Sequence, residues 1–272
     1  MRIKWMNFSS PAFRPWLLAV FFAYPSCAPK RPGAPGVPLP VPVSQPVFDK
    51  TFGEVEIGGG STLSIQFKSI HLLVDPFQFQ DDASSVDYLL LTDGKSVHFG
   101  SGSTQGIRRN LKIICAKNAE RDLQRKGFTQ VKSLPPGSRI LLQKNGGSLF
   151  VTSFENKTAS GKESVNSYLL EFDNGRNLFI SGDLPEADLL RETVYQLRDD
   201  GKEIHFGFIY ASSAEDNCAK LLALLQPKFG FVISSGAPNP PQIKEDVFRS
   251  KLKEELFDGF ALIPRRADKF PF

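Results

Sequence analysis

The chain has 272 residues, 41% of them apolar and 23% charged, which allows a sizeable core and lies outside the low-hydropathy, high-charge regime of disordered chains. Its 33 basic and 29 acidic residues give a formal charge of +4, but Arg2, Lys4, Arg14, Lys30 and Arg31 all precede the first carboxylate, and from residue 47 onward 28 basic residues face 29 acidic ones. The surplus belongs to the leader, so the folded part lacks the basic excess that nucleic-acid binding uses, and no nucleic-acid partner is expected.

Residues 1–26 read as a signal peptide: three cations and no acid in the first fifteen residues, then the nine-residue apolar run Trp16-Leu-Leu-Ala-Val-Phe-Phe-Ala-Tyr24. A spanning helix needs about 20 apolar residues, so this run is too short to anchor by itself. Ser26-Cys27 resembles the lipobox of bacterial lipoproteins, with Tyr24 and Pro25 departing from its pattern. It implies lipid attachment at Cys27 and a location on the bacterial cell envelope, with the membrane as one partner; simple cleavage, leaving a soluble secreted protein, is the alternative. Ten of the 20 prolines fall in the first 46 residues, and residues 27–46 read as an extended polyproline tether with a reach of about 3.1 Å per residue.

Residues 47–272 change character to short β-rich runs. The pattern predicts strands at 54–57, 63–67, 70–74, 86–91, 112–116, 139–143, 148–153, 167–172, 177–181, 205–210 and 229–234, with helices at 118–126, 185–198, 213–225 and 242–257. Gly58-Gly-Gly60, Asn145-Gly-Gly147 and Asp173-Asn-Gly175 read as hairpin turns. Hairpins followed by alternating strands and helices predict a mixed α/β domain. Cys115 and Cys218 are expected as two isolated buried thiols. The 24 phenylalanines leave room for an aromatic binding surface.

Three segments in this order resemble the metallo-β-lactamase superfamily, in its ascorbate-phosphate lactonase-like branch: His71-Leu-Leu-Val-Asp75-Pro76-Phe77, Val86 through Thr92 to His98, and Tyr168 through Gly175 to Gly182-Asp183. Leu225 to Ser234 is a weaker fourth match. The resemblance covers residues 53–236 and implies a four-layered αββα sandwich with a metal centre at one edge. The metal motif itself is emptied. Aligned on Thr92, Asp93 and Lys95 stand at the first two histidine positions, Val97 at the aspartate position and Ser234 at the late histidine; His98 and Asp183 alone keep the family residue.

Composition points the same way, because a dinuclear centre needs about twice the three protein ligands of a catalytic zinc, and the chain has only His71, His98 and His205. No catalytic residue and no cofactor are therefore expected, one zinc ion on Asp93, His98 and Asp183 being the alternative. Lys95 is expected to replace the lost metal charge by pairing with Asp93 or Asp183, against the reading of Asp93-Gly94-Lys95 as an exposed turn. His98 alone reads as a solvated or edge histidine, Asp183 as the N-cap of the next helix. Ser234-Ser235 lacks an identifiable base to make it a nucleophile. The functional expectation is a non-catalytic binding or assembly module whose partner is an envelope protein or small ligand; a metal-dependent hydrolase of phosphoesters or lactones is the alternative.

Overall fold

The computed structural model describes residues 53–77, 83–95, 98–99, 106–157, 164–183, 187–211, 215–234 and 242–272. The signal peptide, Cys27, the tether and Val97 lie outside the described residues.

Fourteen strands form two seven-stranded sheets among these residues. The first sheet takes β1 (Gly53–Ile57), β2 (Leu63–Phe67), β3 (Ile70–Val74), β4 (Tyr88–Leu91), β5 (Lys112–Cys115) and β6 (Gln130–Ser133) in chain order. Its first three strands are antiparallel and β3 to β6 run parallel. The second sheet starts at β7 (Arg139–Lys144), β8 (Gly147–Lys157), β9 (Ser164–Phe172) and β10 (Asn177–Ile180), then turns parallel through β11 (Phe206–Ala211), β12 (Phe229–Ser234) and β13 (Phe260–Leu262). The three glycine-bearing turns join β1 to β2, β7 to β8 and β9 to β10, as expected.

Alternation sorts the apolar residues into three layers. Ile65, Phe67, Leu72, Leu90, Tyr168, Phe208 and Phe231 fill the space between the sheets. The opposite face of the first sheet, through Leu89, Leu91 and Ile113, receives Ala119 and Leu123 of α1 (Lys117–Arg125), one turn apart on the helix. The outer face of the second sheet, through Phe179, Ile209 and Val232, is covered by α2 (Arg191–Asp199), α3 (Glu215–Leu225) and α4 (Glu245–Glu254). The result is the expected αββα sandwich of metallo-β-lactamase type.

Several expectations need correction. The helix expected over 185–198 is split, with a 3-10 turn at Ala187–Leu190 leading into α2. Three strands escape the pattern: β6 carries a single apolar residue, Val131, β13 is three residues long, and β14 (Lys269–Pro271) comes from the charged tail. β14 pairs antiparallel with β1 and closes the sheet, and the terminal Phe272 ring packs 4.8 Å from Phe172 and 6.1 Å from Phe67. A Cβ on Gly53 would lie 2.5 Å from that ring, which explains glycine at the start of β1. Most of the described phenylalanines belong to the core, Phe67, Phe179, Phe208, Phe231, Phe248 and Phe257 among them, whereas Phe150 is exposed beside Arg139, whose guanidinium lies 3.7 Å from its ring. Cys115 and Cys218 are free, buried thiols, and burial pushes the pKa of each up to about 12.

Candidate functional site

In open α/β sheets the carboxyl ends of the strands are where ligands bind, because the chain leaves the sheet there and side chains converge. Here Asp75 follows β3, Thr92 and Asp93 follow β4, and Ser181 to Asp183 follow β10.

Asp75 is the foundation. It sits in the left-handed region at φ 43°, an uncommon conformation for a residue with a Cβ, and its carboxylate is fully buried. Hydrogen bonds on every side hold it there. Oδ1 accepts the Thr92 backbone N–H at 2.9 Å and Oδ2 accepts the Thr92 hydroxyl at 2.7 Å, while its own carbonyl accepts the Thr62 hydroxyl at 3.0 Å. That Thr62 oxygen in turn accepts the Phe77 N–H at 3.0 Å, so the Gly58-Gly-Gly60 hairpin serves to buttress the site.

Asp183 is placed from the second sheet. Ser167 Oγ donates to the Ser181 carbonyl at 2.6 Å, and Ser181 Oγ accepts the Tyr210 N–H at 3.0 Å. Gly182 follows at φ 63°, where an added Cβ would lie 2.9 Å from the Asn166 carbonyl and 3.0 Å from Thr92 Cβ. Only glycine lets the chain pass this close to the first sheet before presenting Asp183. The Asp183 carboxylate faces His98, and among the described residues the next helical segment is Ala187–Leu190, where the Ala187 N–H goes to Asn217 Oδ1 at 2.8 Å.

His98 lies between the two carboxylates. It is fully buried, with Nδ1 3.3 Å from Asp75 Oδ2 and Nε2 3.0 Å from Asp183 Oδ2, and its ring stacks on Tyr210 at 5.8 Å and 14°. The solvated-histidine expectation therefore fails: sequence shows a polar segment but not that two sheets fold over it. Burial alone would lower the imidazole's pKa, but Asp75 and Asp183 reverse that and hold it at about 10. In its protonated form His98 has no lone pair to offer, so a metal ion would have to displace that proton.

Lys95 completes the cluster. Its Nζ lies 3.0 Å from the fully buried Asp93 Oδ2 and 3.9 Å from Asp183 Oδ2, and its backbone N–H donates to Asp93 Oδ1. The exposed-turn reading is excluded and the expected pairing is present. Burial raises the Asp93 carboxyl above its ordinary range against the pull of His98 and Lys95.

The donor set can be tested against a metal ion. Asp93, His98 and Asp183 each offer an atom, all within 4.8 Å of one another, and Asp93 Oδ2, His98 Nε2 and Asp183 Oδ1 are buried without a directed hydrogen bond. This is the minimum for one ion. Lys95 places an ammonium against two of the three donors, and an ammonium repels a dication and donates no lone pair. Ser234 ends β12 opposite Ala211, a hydroxyl at the position the sequence resemblance assigns to a histidine. His71 and His205 are elsewhere: His71 contacts Ser64 Oγ at 2.9 Å and Ser85 Oγ at 3.1 Å, and His205 Nδ1 accepts the Asn177 N–H at 3.2 Å. Among the described residues a dinuclear centre does not fit, and a single ion fits only if Lys95 withdraws.

Asp75 and Tyr210 are the members that sequence reasoning did not assign to the site. The one signal for Asp75 was a carboxylate and proline directly after the three apolar residues Leu72, Leu73 and Val74, a costly place for a charge without partners.

No family model matches the sequence, and neither does any curated protein. Solved structures do resemble it. An isothiocyanate hydrolase from Delia radicum gut bacteria superposes with a TM-score of 0.63 at 13% identity, covering 80% of this chain and 98% of that one. A possible metal-dependent hydrolase from Veillonella parvula gives 0.63 at 12%, covering 81% and 99%. A metallo hydrolase from the hyperthermophilic archaeon Ignicoccus hospitalis gives 0.60 at 15%, covering 82% and 100%. At these identities the likeness establishes the fold, and function has to be argued from the site.

Proposed function

We propose that this metallo-β-lactamase-fold chain is a non-catalytic binding or assembly module, exported to the bacterial envelope and held there by lipid on Cys27 at the end of a Pro-rich tether. The observation that carries the non-catalytic reading is Lys95 Nζ at 3.0 Å from Asp93 and 3.9 Å from Asp183, a protein cation where the fold family places metal. The charged His98 supports it by occupying both flanking carboxylates. Among the described residues the cluster holds no hydroxyl or thiol hydrogen-bonded to His98 as its base, so without metal-activated water it lacks an activated nucleophile.

Elemental analysis of the purified full chain after dialysis against trace zinc is the test. Well under one ion per chain is the expected result. Near-stoichiometric metal would overturn it and favour the second reading, for which the convergence of Asp93, His98 and Asp183 within 4.8 Å speaks: a one-metal hydrolase of phosphoesters or lactones. The anchor is tested separately. A Cys27→Ser chain is expected to move from the membrane to the soluble fraction of expressing bacteria, and its retention in the membrane would reject lipid attachment at this residue.

A further inference from the structure

At the other end of the first sheet, where β4, β5 and β6 begin, the apolar alternation breaks. Tyr88 and Leu90 of β4 and Ile114 of β5 point between the sheets, whereas Ile113 and Cys115 face α1. Lys112 shares the inward face of Ile114, and its register partners on either side are Tyr88 and Gln130. Lys112 and Gln130 are exposed at the mouth of the gap between the sheets, so the apolar face gives way to polar residues in line across neighbouring strands. Such breaks mark function more often than packing.

The gap they leave is a cavity of about 230 Å³. Its floor is Tyr88, whose hydroxyl donates to the Gln143 carbonyl at 3.0 Å, with Lys112 Nζ 5.5 Å from the ring. Arg108 enters from the turn before β5 and is held by a hydrogen bond from Nη2 to the Val86 carbonyl at 2.7 Å. Lys144, at the end of β7 on the opposing sheet, is held 2.7 Å from Asp87 Oδ1, and Asp87 Oδ2 accepts the His71 N–H at 2.9 Å. Three cations from two sheets therefore line one small cavity against a single carboxylate. Arg108 spends one of its five guanidinium N–H donors on the Val86 carbonyl and Lys144 is paired with Asp87, which leaves the other Arg108 donors and the Lys112 ammonium facing the cavity.

From this arrangement we infer that the cavity formed by Tyr88, Arg108, Lys112, Gln130 and Lys144 is a binding site for a phosphate group. The volume suits a small phosphorylated compound or a single lipid headgroup. A guanidinium with two ammonium groups is the donor set that a doubly charged tetrahedral oxyanion selects. Gln130 adds an amide donor, and Tyr88 supplies an apolar surface for whatever carries the phosphate. The site stands at the pole opposite the Asp75, His98 and Asp183 cluster and does not depend on what fills that cluster.

Isothermal titration of the full chain at low salt with inorganic phosphate tests the inference, with sedimentation on phosphatidylcholine vesicles containing phosphatidic acid as the lipid arm. Saturable one-to-one binding of phosphate supports a soluble ligand, and binding to the doped vesicles alone supports a headgroup. In either case the Arg108→Gln, Lys112→Gln double variant is expected to bind at least about tenfold more weakly, and Lys112→Gln alone, at an exposed side chain, is expected to weaken binding with the melting temperature of the parent, which separates lost binding from the lost Arg108–Val86 hydrogen bond. The vesicle arm is run on a Cys27→Ser background so that a lipid anchor does not mimic binding. No saturable binding in either arm, or equal affinity in the double variant, would overturn the inference.

Discussion

A His98→Gln variant is expected to be about 3–5 kcal/mol less stable than the parent chain at pH 7, the usual cost of removing one partner from a buried ion pair. The amide keeps roughly the shape of the imidazole but not its charge, and Asp75 and Asp183 are left facing each other across it. Both carboxylates depend on His98: Asp75 is fully buried, and Asp183 is exposed over only 17% of its side chain. The pH dependence is the sharper readout. The folded-state pKa of about 10 is above the unfolded value near 6.5, so protonation stabilises the fold. That contribution is complete below pH 6.5 and is lost as pH rises toward 10. A tenfold change in proton affinity is worth about 1.4 kcal/mol, so the loss over this window amounts to several kcal/mol. Denaturant midpoints at steps from pH 6 to 9.5 should therefore fall steadily for the parent and stay nearly level for the variant. Taking the difference between the two proteins cancels the contributions of His71 and His205, whose pKa values burial lowers. Equal slopes would show that His98 is neutral in the fold and would return it to the pool of metal ligands.

How much of this was legible beforehand differs between fold and site, for physical reasons. Strands with strong alternation or unbroken apolar runs, such as Leu63–Phe67 and Phe229–Ser234, are visible because burial on one or both faces writes itself into the residue order. β6 and β14 are invisible because their place is fixed by partners distant in sequence: β6 by the parallel register with β5, β14 by β1 and the ring of Phe272. At the site, the residues that stand where the resemblance implies metal ligands could be read one by one, and so could the pairing of Lys95 with Asp93 or Asp183. The sandwiching of His98 could not. It depends on Asp75 adopting a left-handed backbone and on Gly182 letting the sheets approach, and neither leaves a periodic trace. The phosphate cavity has the reverse history. Lys112 is plainly present in an apolar run, but it becomes informative only when the sheet shows which way it faces.

Lys95 offers the decisive experiment on whether this centre traded metal for protein charge. Replacing it with methionine preserves length and apolar stem while deleting the ammonium, leaving Asp93 and Asp183 short of one positive charge. Because 39% of the Lys95 side chain is exposed, solvent screening holds the expected loss to about 1–2 kcal/mol at pH 7, below the cost at His98. Asp93 can relieve part of it by taking up a proton, which its burial already favours. Lys95→His carries the argument further. It removes the repelling cation and adds an imidazole donor next to Asp93, His98 and Asp183, so the cluster gains a fourth ligand of the kind zinc prefers. Zinc would then compete with the proton on His98, and affinity should rise with pH as that proton leaves. At a free zinc concentration about 100 times the dissociation constant, binding adds about 2.7 kcal/mol, enough to recover the stability lost with Lys95. The expected pattern is therefore a parent whose melting temperature ignores zinc, a methionine variant that melts lower, and a histidine variant that melts lower without zinc and recovers with it. Zinc stabilising the parent as strongly as the histidine variant would mean that Lys95 already yields its place to metal, and the centre would have to be read as a one-metal hydrolase.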